Sequence, residues 1–395
     1  MAEHHPIRQM AFVEKFRCLG SECEDTCCKS WNMQLDGRTY ARYESEAPEL
    51  LASVTEDRTG RIMKRDACSD FCVKFEQGLC AIHRDLGSDF LGDACHFYPR
   101  VTRRLGNQVL MSAALSCPEI TRLALFHEGG FDWRENSVAR LPDEMKNYLP
   151  EALDEDAVLA VHKAFLDATA DEAADPSRIM ARIISVAQSL SAIDMASWPM
   201  AASFYLQSAD ARLMTPELSP VDPFNLLHAL MGIVAATGSQ NRERLLSVIH
   251  DMEKALHVQL EWDGLGIRAT GDSTQAYAEM EKAWHEQYAP SLNPMLRRWI
   301  ASQISLALFP FGGFGETLID RAFLIGVRFA TMRLALMCAC QVQEKVVDEA
   351  HQVRIIQSLS RVLDHLADPA LSLQIYAEPG WLREARIRAL IGDAV

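Results

Sequence analysis

Nine of the eleven cysteines lie within the first 117 residues, four of them in Cys18-x4-Cys23-x3-Cys27-Cys28. Cys68, Cys72, Cys80, Cys95 and Cys117 complete that set. Thiols crowded in this way close either a metal site or a disulfide framework. As ligands they are soft and select zinc or iron–sulfur clusters over hard cations. Were residues 20–28 helical, Cys23 and Cys27 would share one face and Cys28 would project about 100° away. The downstream cysteines are too scattered to act locally. Folding must bring them to the first group, and a bound metal would then contribute its binding energy to folding. Cys338 and Cys340 sit in an apolar helical run, where core packing explains them.

Disulfides belong to oxidising compartments and to small secreted domains that lack a core. This chain has 395 residues, 49% of them apolar, and can bury a large core without covalent staples. Its start, MAEHHPIRQMAFVEKF, shows no apolar run followed by a small-residue cleavage site. The expectation is a reduced, cytoplasmic protein with metal-binding thiolates. The most apolar stretch, 323–340, is interrupted by Arg328 and Arg333 and reads as a buried helix, so no membrane is expected. A formal charge of −15 excludes general nucleic-acid binding, which needs a basic face. The spacing is neither that of a zinc ribbon with two close CxxC knuckles nor the Cys-x3-Cys-x2-Cys loop of radical enzymes. Metal or cluster, with the element open, is what the cysteines themselves imply.

Around them stand other chemically able residues. Tyr98-Pro99-Arg100 offers a guanidinium that could fork onto a carboxylate, or simply a turn with a surface arginine. Glu119, just after Ser-Cys-Pro, could hold a substrate ammonium or favour the N-terminus of a helix. His83 and His96 read as hydrogen-bonded structural histidines. Gly312-Gly313-Phe314-Gly315 follows a helical pattern, which suits a helix terminator better than a phosphate loop.

The elements that must position these groups divide into three stretches. Residues 1–126 form a cysteine-rich unit of short irregular elements, with any strands confined to it. Within it, 36–54 reads as a helix capped by Asp36 or Thr39, and Pro99 should end any helix. A short strand from 108 turns at Ser116-Cys117-Pro118 into a helix, with Pro118 at its first position. Residues 127–150, glycine-rich and charged, read as a linker. Residues 151–395 form a large α-helical domain. Apolar residues recur there at three- and four-residue spacing in 152–169, 178–195, 224–236, 243–260, 295–309, 317–343, 347–366 and 381–392. No alternation of strands and helices with a glycine-rich turn is present, which excludes a doubly wound sheet. The fold class is mainly α.

Four blocks occur in order: FRCLGSECEDTCCKSWNMQLDGRTYARY, FCVKFEQGLCAIHRDLG, CHFYPR and LSCPEITRL. Together they resemble the flagellin lysine N-methylase family, the FliB-like proteins, whose N-terminal region belongs with the CxxCxxCC zinc- or iron-chelating domains. The resemblance covers roughly residues 12–125. The helical remainder adds an LFPF-like element at Leu308-Phe309-Pro310-Phe311. It implies methyl transfer from S-adenosylmethionine to flagellin lysines, or to those of another lysine-bearing protein, with a cysteine-bound cluster. The matching positions are Cys18, Cys23, Cys27, Cys28, Cys72, Cys80, Cys95 and Cys117; Tyr98 and Arg100, from the Tyr98-Pro99-Arg100 segment, are the candidates for gripping the cofactor's carboxylate. A four-iron, four-sulfur cluster needs about four thiolates, so eight exceed one cluster; zinc is the alternative. A non-catalytic metal-binding scaffold and a cluster-dependent redox protein are the competing readings.

Overall fold

The computed structural model describes residues 4–393 apart from 30, 128–129, 218–221, 238–241, 263–266, 314 and 366–368. Mainly helical architecture is what it shows. A four-stranded sheet sits against the helices in the spatial order Arg100–Leu105, Gln108–Ala113, His5–Met10, Trp133–Val138. The first two strands form a hairpin, turned at Gly106 with φ +59°, a conformation that glycine adopts without strain. His5–Met10 runs parallel to Gln108–Ala113 and antiparallel to Trp133–Val138. His5–Met10 is thus an interior strand of the sheet.

That strand Trp133–Val138 falls in the stretch expected to be a linker, and a further antiparallel pair, Val258–Trp262 with Ile267–Gly271, lies in the helical region. The expectation that strands stop at residue 125 is therefore corrected. Trp133–Val138 pairs with a segment more than a hundred residues away, whereas the second pair is a local hairpin; in both, a five- or six-residue strand leaves little periodicity to read. The helix expected over 243–260 ends at Leu256 for the same reason.

Core formation ignores chain order. One large apolar core joins Ile7, Phe12, Met111, Leu115 and Ile120 from the first part of the chain to the helices that follow. At its centre runs the helix Leu318–Gln343, buried along nearly its whole length. It is the one described helix long and apolar enough to cross a membrane, and that apolar window is wholly buried inside the protein. Arg333 near its middle takes both oxygens of Glu281 at 2.7 and 2.5 Å. A second, much smaller core gathers Met33, Leu35, Tyr43, Leu50, Met63, Cys72, Ile82 and Leu91. The segments around it are short: the helix Gly37–Glu46, capped by Asp36 accepting from the Thr39 N–H, and two-stranded pairs 54–57/60–63 and 75–76/79–80.

Candidate functional site

Where the small core meets the large one, a cavity of about 420 Å³ opens. Cys18, Cys23, Cys27, Cys28, Cys72, Cys80, Cys95 and Cys117 all line it, and so do Tyr98, Arg100, Glu119, His83 and His96. Chain segments almost a hundred residues apart converge here. Cys68 does not line this cavity, and Cys338 and Cys340 are buried in the core helix. Among the described residues, no three of His, Cys, Asp or Glu come close enough together to grip a single ion. The thiols instead surround a space.

Residues 20–28 are not a helix. Only the single turn Gly20–Glu22 forms, and the backbone then runs extended through Cys23. The glycine at 20, with φ +57°, and the turn-forming Ser and Asp neighbours favour a loop over helix propagation. The shared face expected for Cys23 and Cys27 is thus replaced by a loop wrapped along the cavity rim.

Distinct elements hold the other thiols. Cys72 is fixed by its N–H donating to the Cys28 carbonyl at 2.8 Å. Cys80 ends the strand Leu79–Cys80 and Cys95 lies in the short helix Asp93–Phe97. Cys117 precedes Pro118 at the start of Pro118–Leu125, where the missing proline N–H costs nothing. Cys28, Cys72, Cys80 and Cys95 belong to the small apolar core, whereas Cys117 belongs to the large one.

Electrostatics separates these thiols further. A hydrogen bond from Cys28, opposed by burial and helped by the Arg361 guanidinium, brings Cys27 down to about 7. Cys28 is raised in turn as the donor of that pair. Burial pushes Cys117 up to about 12 and raises Cys23, Cys72 and Cys95. A cavity that disfavours several thiolates at once is one that positive charge would stabilise.

Arg100 reaches the cavity but spends donors locally: Nη2 on the His96 carbonyl at 2.8 Å and Nε on that of Phe97 at 3.3 Å. Burial lowers its pKa. Tyr98 donates its hydroxyl to Ser116 Oγ at 3.2 Å, and Ser116 Oγ lies 2.7 Å from His365 Nε2. Desolvation lowers the His365 pKa, so its ring is neutral near pH 7 and Nε2 can accept from Ser116. Glu119 lies in the first turn of its helix, 3.5 Å from Arg122, while still facing the cavity. His96 holds the Ser88 carbonyl at 3.1 Å, as a structural histidine does. Phe314 of the glycine-rich element lies outside the described residues, and Gly312 and Gly313 follow the helix Ala289–Ala307.

Arg361 had no signal in the cysteine spacing. From the helix Glu349–Leu363 it donates to Asp25 at 2.7 Å, to the Thr26 carbonyl at 2.8 Å and to the Lys29 carbonyl at 2.9 Å. Gln357, one turn earlier, donates to Asp25 at 2.6 Å and to the Ser116 carbonyl at 3.1 Å. Two residues of a C-terminal helix therefore strap down the Cys23–Cys28 loop and the Ser116–Cys117 corner together. Contacts more than 200 residues apart in the chain leave no trace in local spacing.

Comparison with known proteins finds relatives of parts of the chain. Residues 194–374 match the model of the FliB lysine N-methylase C-terminal domain. A lysine-N-methylase of Salmonella typhimurium is 30% identical over 125 residues, 29% of this chain and 31% of that protein. The flagellar biosynthetic protein FliU of Salmonella muenchen is also 30% identical over 125 residues, which cover 74% of its length. The match thus spans about a third of the Salmonella typhimurium methylase. No solved structure matches.

Proposed function

Because the chain belongs to the flagellin lysine N-methylase family, we propose that it is a protein-lysine N-methyltransferase that uses S-adenosylmethionine and holds a four-iron, four-sulfur cluster in the thiol-lined cavity. Flagellin, or another protein with exposed lysines, is the substrate, and the cytoplasm is the place of action. The observation that carries this reading is the convergence of all eight cysteines with Tyr98, Arg100 and Glu119 on one cavity.

The donor set fits a cluster in kind. Thiolates are its ordinary ligands, and about four suffice. Cys28, Cys72, Cys80 and Cys95 form the favoured set, because they share one small apolar core. A cluster carries its thiolates on separate iron corners, so thiols spread around a space favour it over a single zinc ion. When bound, the cluster would supply positive iron to offset those thiolates, and an electron-transfer or cofactor-binding centre.

The chain's own residues supply the handling of lysine. An ammonium has no lone pair, and free lysine titrates at about 10.4. The Glu119 carboxylate attracts the ammonium into the cavity, and the apolar wall then favours the neutral amine. Proton removal runs along the line Tyr98–Ser116–His365: as Tyr98 Oη takes the lysine proton, its own proton passes to Ser116 Oγ and the Ser116 proton to His365 Nε2. The free Nη1 of Arg100 is the donor available for the cofactor carboxylate.

The test is anaerobic purification with iron and sulfide assay, then incubation with labelled S-adenosylmethionine and flagellin. Iron with acid-labile sulfide and methyl increments on flagellin lysines are expected. A metal-replete preparation that binds neither S-adenosylmethionine nor flagellin sinks the enzyme reading and leaves a metal-binding scaffold.

A further inference from the structure

Away from the thiols, a cavity of about 40 Å³ lies where the strand Arg100–Leu105 meets the helices Ala289–Ala307 and Leu318–Gln343. Arg103, Arg321, Arg328 and Gln303 line it beside Gly312 and Gly313, and no aspartate or glutamate does. Charge does not balance there. Arg328 is paired with Asp364 at 3.4 Å, both side chains being buried. Arg321 donates to the carbonyls of Gly315, Pro310 and Glu316 at 3.2, 2.8 and 3.2 Å, which orients it without neutralising it. Asp320, its neighbour in the chain, is occupied in capping the helix, accepting from the Thr317 N–H at 3.0 Å.

Arg103 has the least support. Among the described residues its side chain makes no ion pair or hydrogen bond; the guanidinium lies 5.3 Å from the centre of the Tyr148 ring, and its Nε is buried without an acceptor. Burial accordingly lowers its pKa. Gln303, 2% exposed, points to the same deficit, because its Nε2 has no acceptor either. Buried donors are ordinarily satisfied, and those left over mark a missing partner.

We propose that this cavity is a binding site for a small oxyanion of the phosphate or carboxylate class, held between the Arg103 and Arg321 guanidinium groups and the Gln303 amide. The space holds roughly three waters, or one such group, and nothing as large as a nucleoside. Water alone would satisfy Gln303 but leave two guanidinium charges unopposed. A planar oxyanion or tetrahedral phosphate meets both, since guanidinium forks match such oxygens in pairs. The ligand class follows from this charge and size, independently of the reading of the thiol cavity.

The experiment uses the full-length protein in thermal melts and calorimetric titrations with inorganic phosphate, sulfate or acetate, against sodium chloride at matched ionic strength. A saturable rise in melting temperature with at least one oxyanion is expected, growing with the logarithm of its concentration. Phosphate and sulfate acting alone identify a tetrahedral ion; acetate acting more strongly identifies a carboxylate. Arg103→Gln should abolish the effect, and Gln303→Met, of similar volume, should weaken affinity by about tenfold. Far-ultraviolet circular dichroism checks that each variant folds; should Arg103→Gln fail to fold, Gln303→Met carries the test. No saturable effect beyond chloride from any of the three anions overturns the proposal, as does undiminished binding in the folded variants.

Discussion

The small core around Met33, Tyr43 and Leu91 and the large helical core solve stability in opposite ways. The large core buries long helices and pairs three of its buried arginines with carboxylates: Arg333 with Glu281, Arg328 with Asp364, Arg388 with Asp393. The small core rests on short elements and a handful of apolar side chains, and turns several thiols toward an open space. A unit of such size rarely draws more than about 3–5 kcal/mol from its core alone. The comparison teaches that the large core is held by the packing of its own helices, while the thiol region is held by the helix that straps it down and, on the proposed reading, by a metal in its cavity.

Removing the metal proposed for the thiol cavity should break the comparison most visibly. Structural metals contribute about 10 kcal/mol or more to the folding of small units. Anaerobic chelation should therefore raise amide exchange over residues 33–97 by orders of magnitude and leave the helix Leu318–Gln343 unchanged. Hydrogen exchange read by mass spectrometry checks this; equal acceleration in both regions would show that they do not differ in kind.

Next in size is the buried pair of the large core. Arg333→Met strands Glu281 and should cost about 3–5 kcal/mol in denaturant unfolding. Burial works to raise the Glu281 pKa, but Arg333, with His285 and Tyr277, outweighs it and holds the carboxyl well below its usual range. A depressed carboxyl stabilises fully above the unfolded value and loses that contribution as pH falls toward the folded one. The wild type should thus lose stability below about pH 4.3, the ordinary glutamate value, and the variant should lose less of it. A parallel acid dependence in both proteins contradicts this assignment.

A smaller effect is expected from the strap. Arg361→Gln keeps an amide beside the loop and should cost about 1.5–3 kcal/mol locally, the worth of one hydrogen bond to a charged group. The Cys23–Cys28 loop should become accessible to protease while the global midpoint moves little. An unchanged cleavage pattern would mean the loop is held by its own contacts.

Smallest are the changes at single thiols in metal-free protein. Cys27, lowered to about 7, should alkylate first as pH rises through neutrality, because the thiolate is the nucleophile. Cys338, enclosed in the core helix, should remain unmodified in the folded protein. Mass mapping after brief iodoacetamide treatment distinguishes them, and labelling of Cys338 before Cys27 would reverse the partition drawn between the two regions.

Much of the molecule was legible from spacing, because it depends on neighbours within a few residues. The apolar recurrence over 317–343 appears as the helix Leu318–Gln343, and 152–169 as Glu155–Ala168. Asp36 caps its helix, and Pro118 opens the next one. Residue types likewise marked the eight cysteines with Tyr98, Arg100 and Glu119, which share the cavity. Tertiary structure alone decided the rest. The loop at residues 20–28, the strand Trp133–Val138 beside the chain's first strand, and Arg361 and Gln357 beneath the cysteine loop all rest on distant partners. Local pattern encodes periodicity and chain stiffness. Which remote segment supplies a neighbour is set only when the whole core closes, and that closure forms the thiol cavity's far wall.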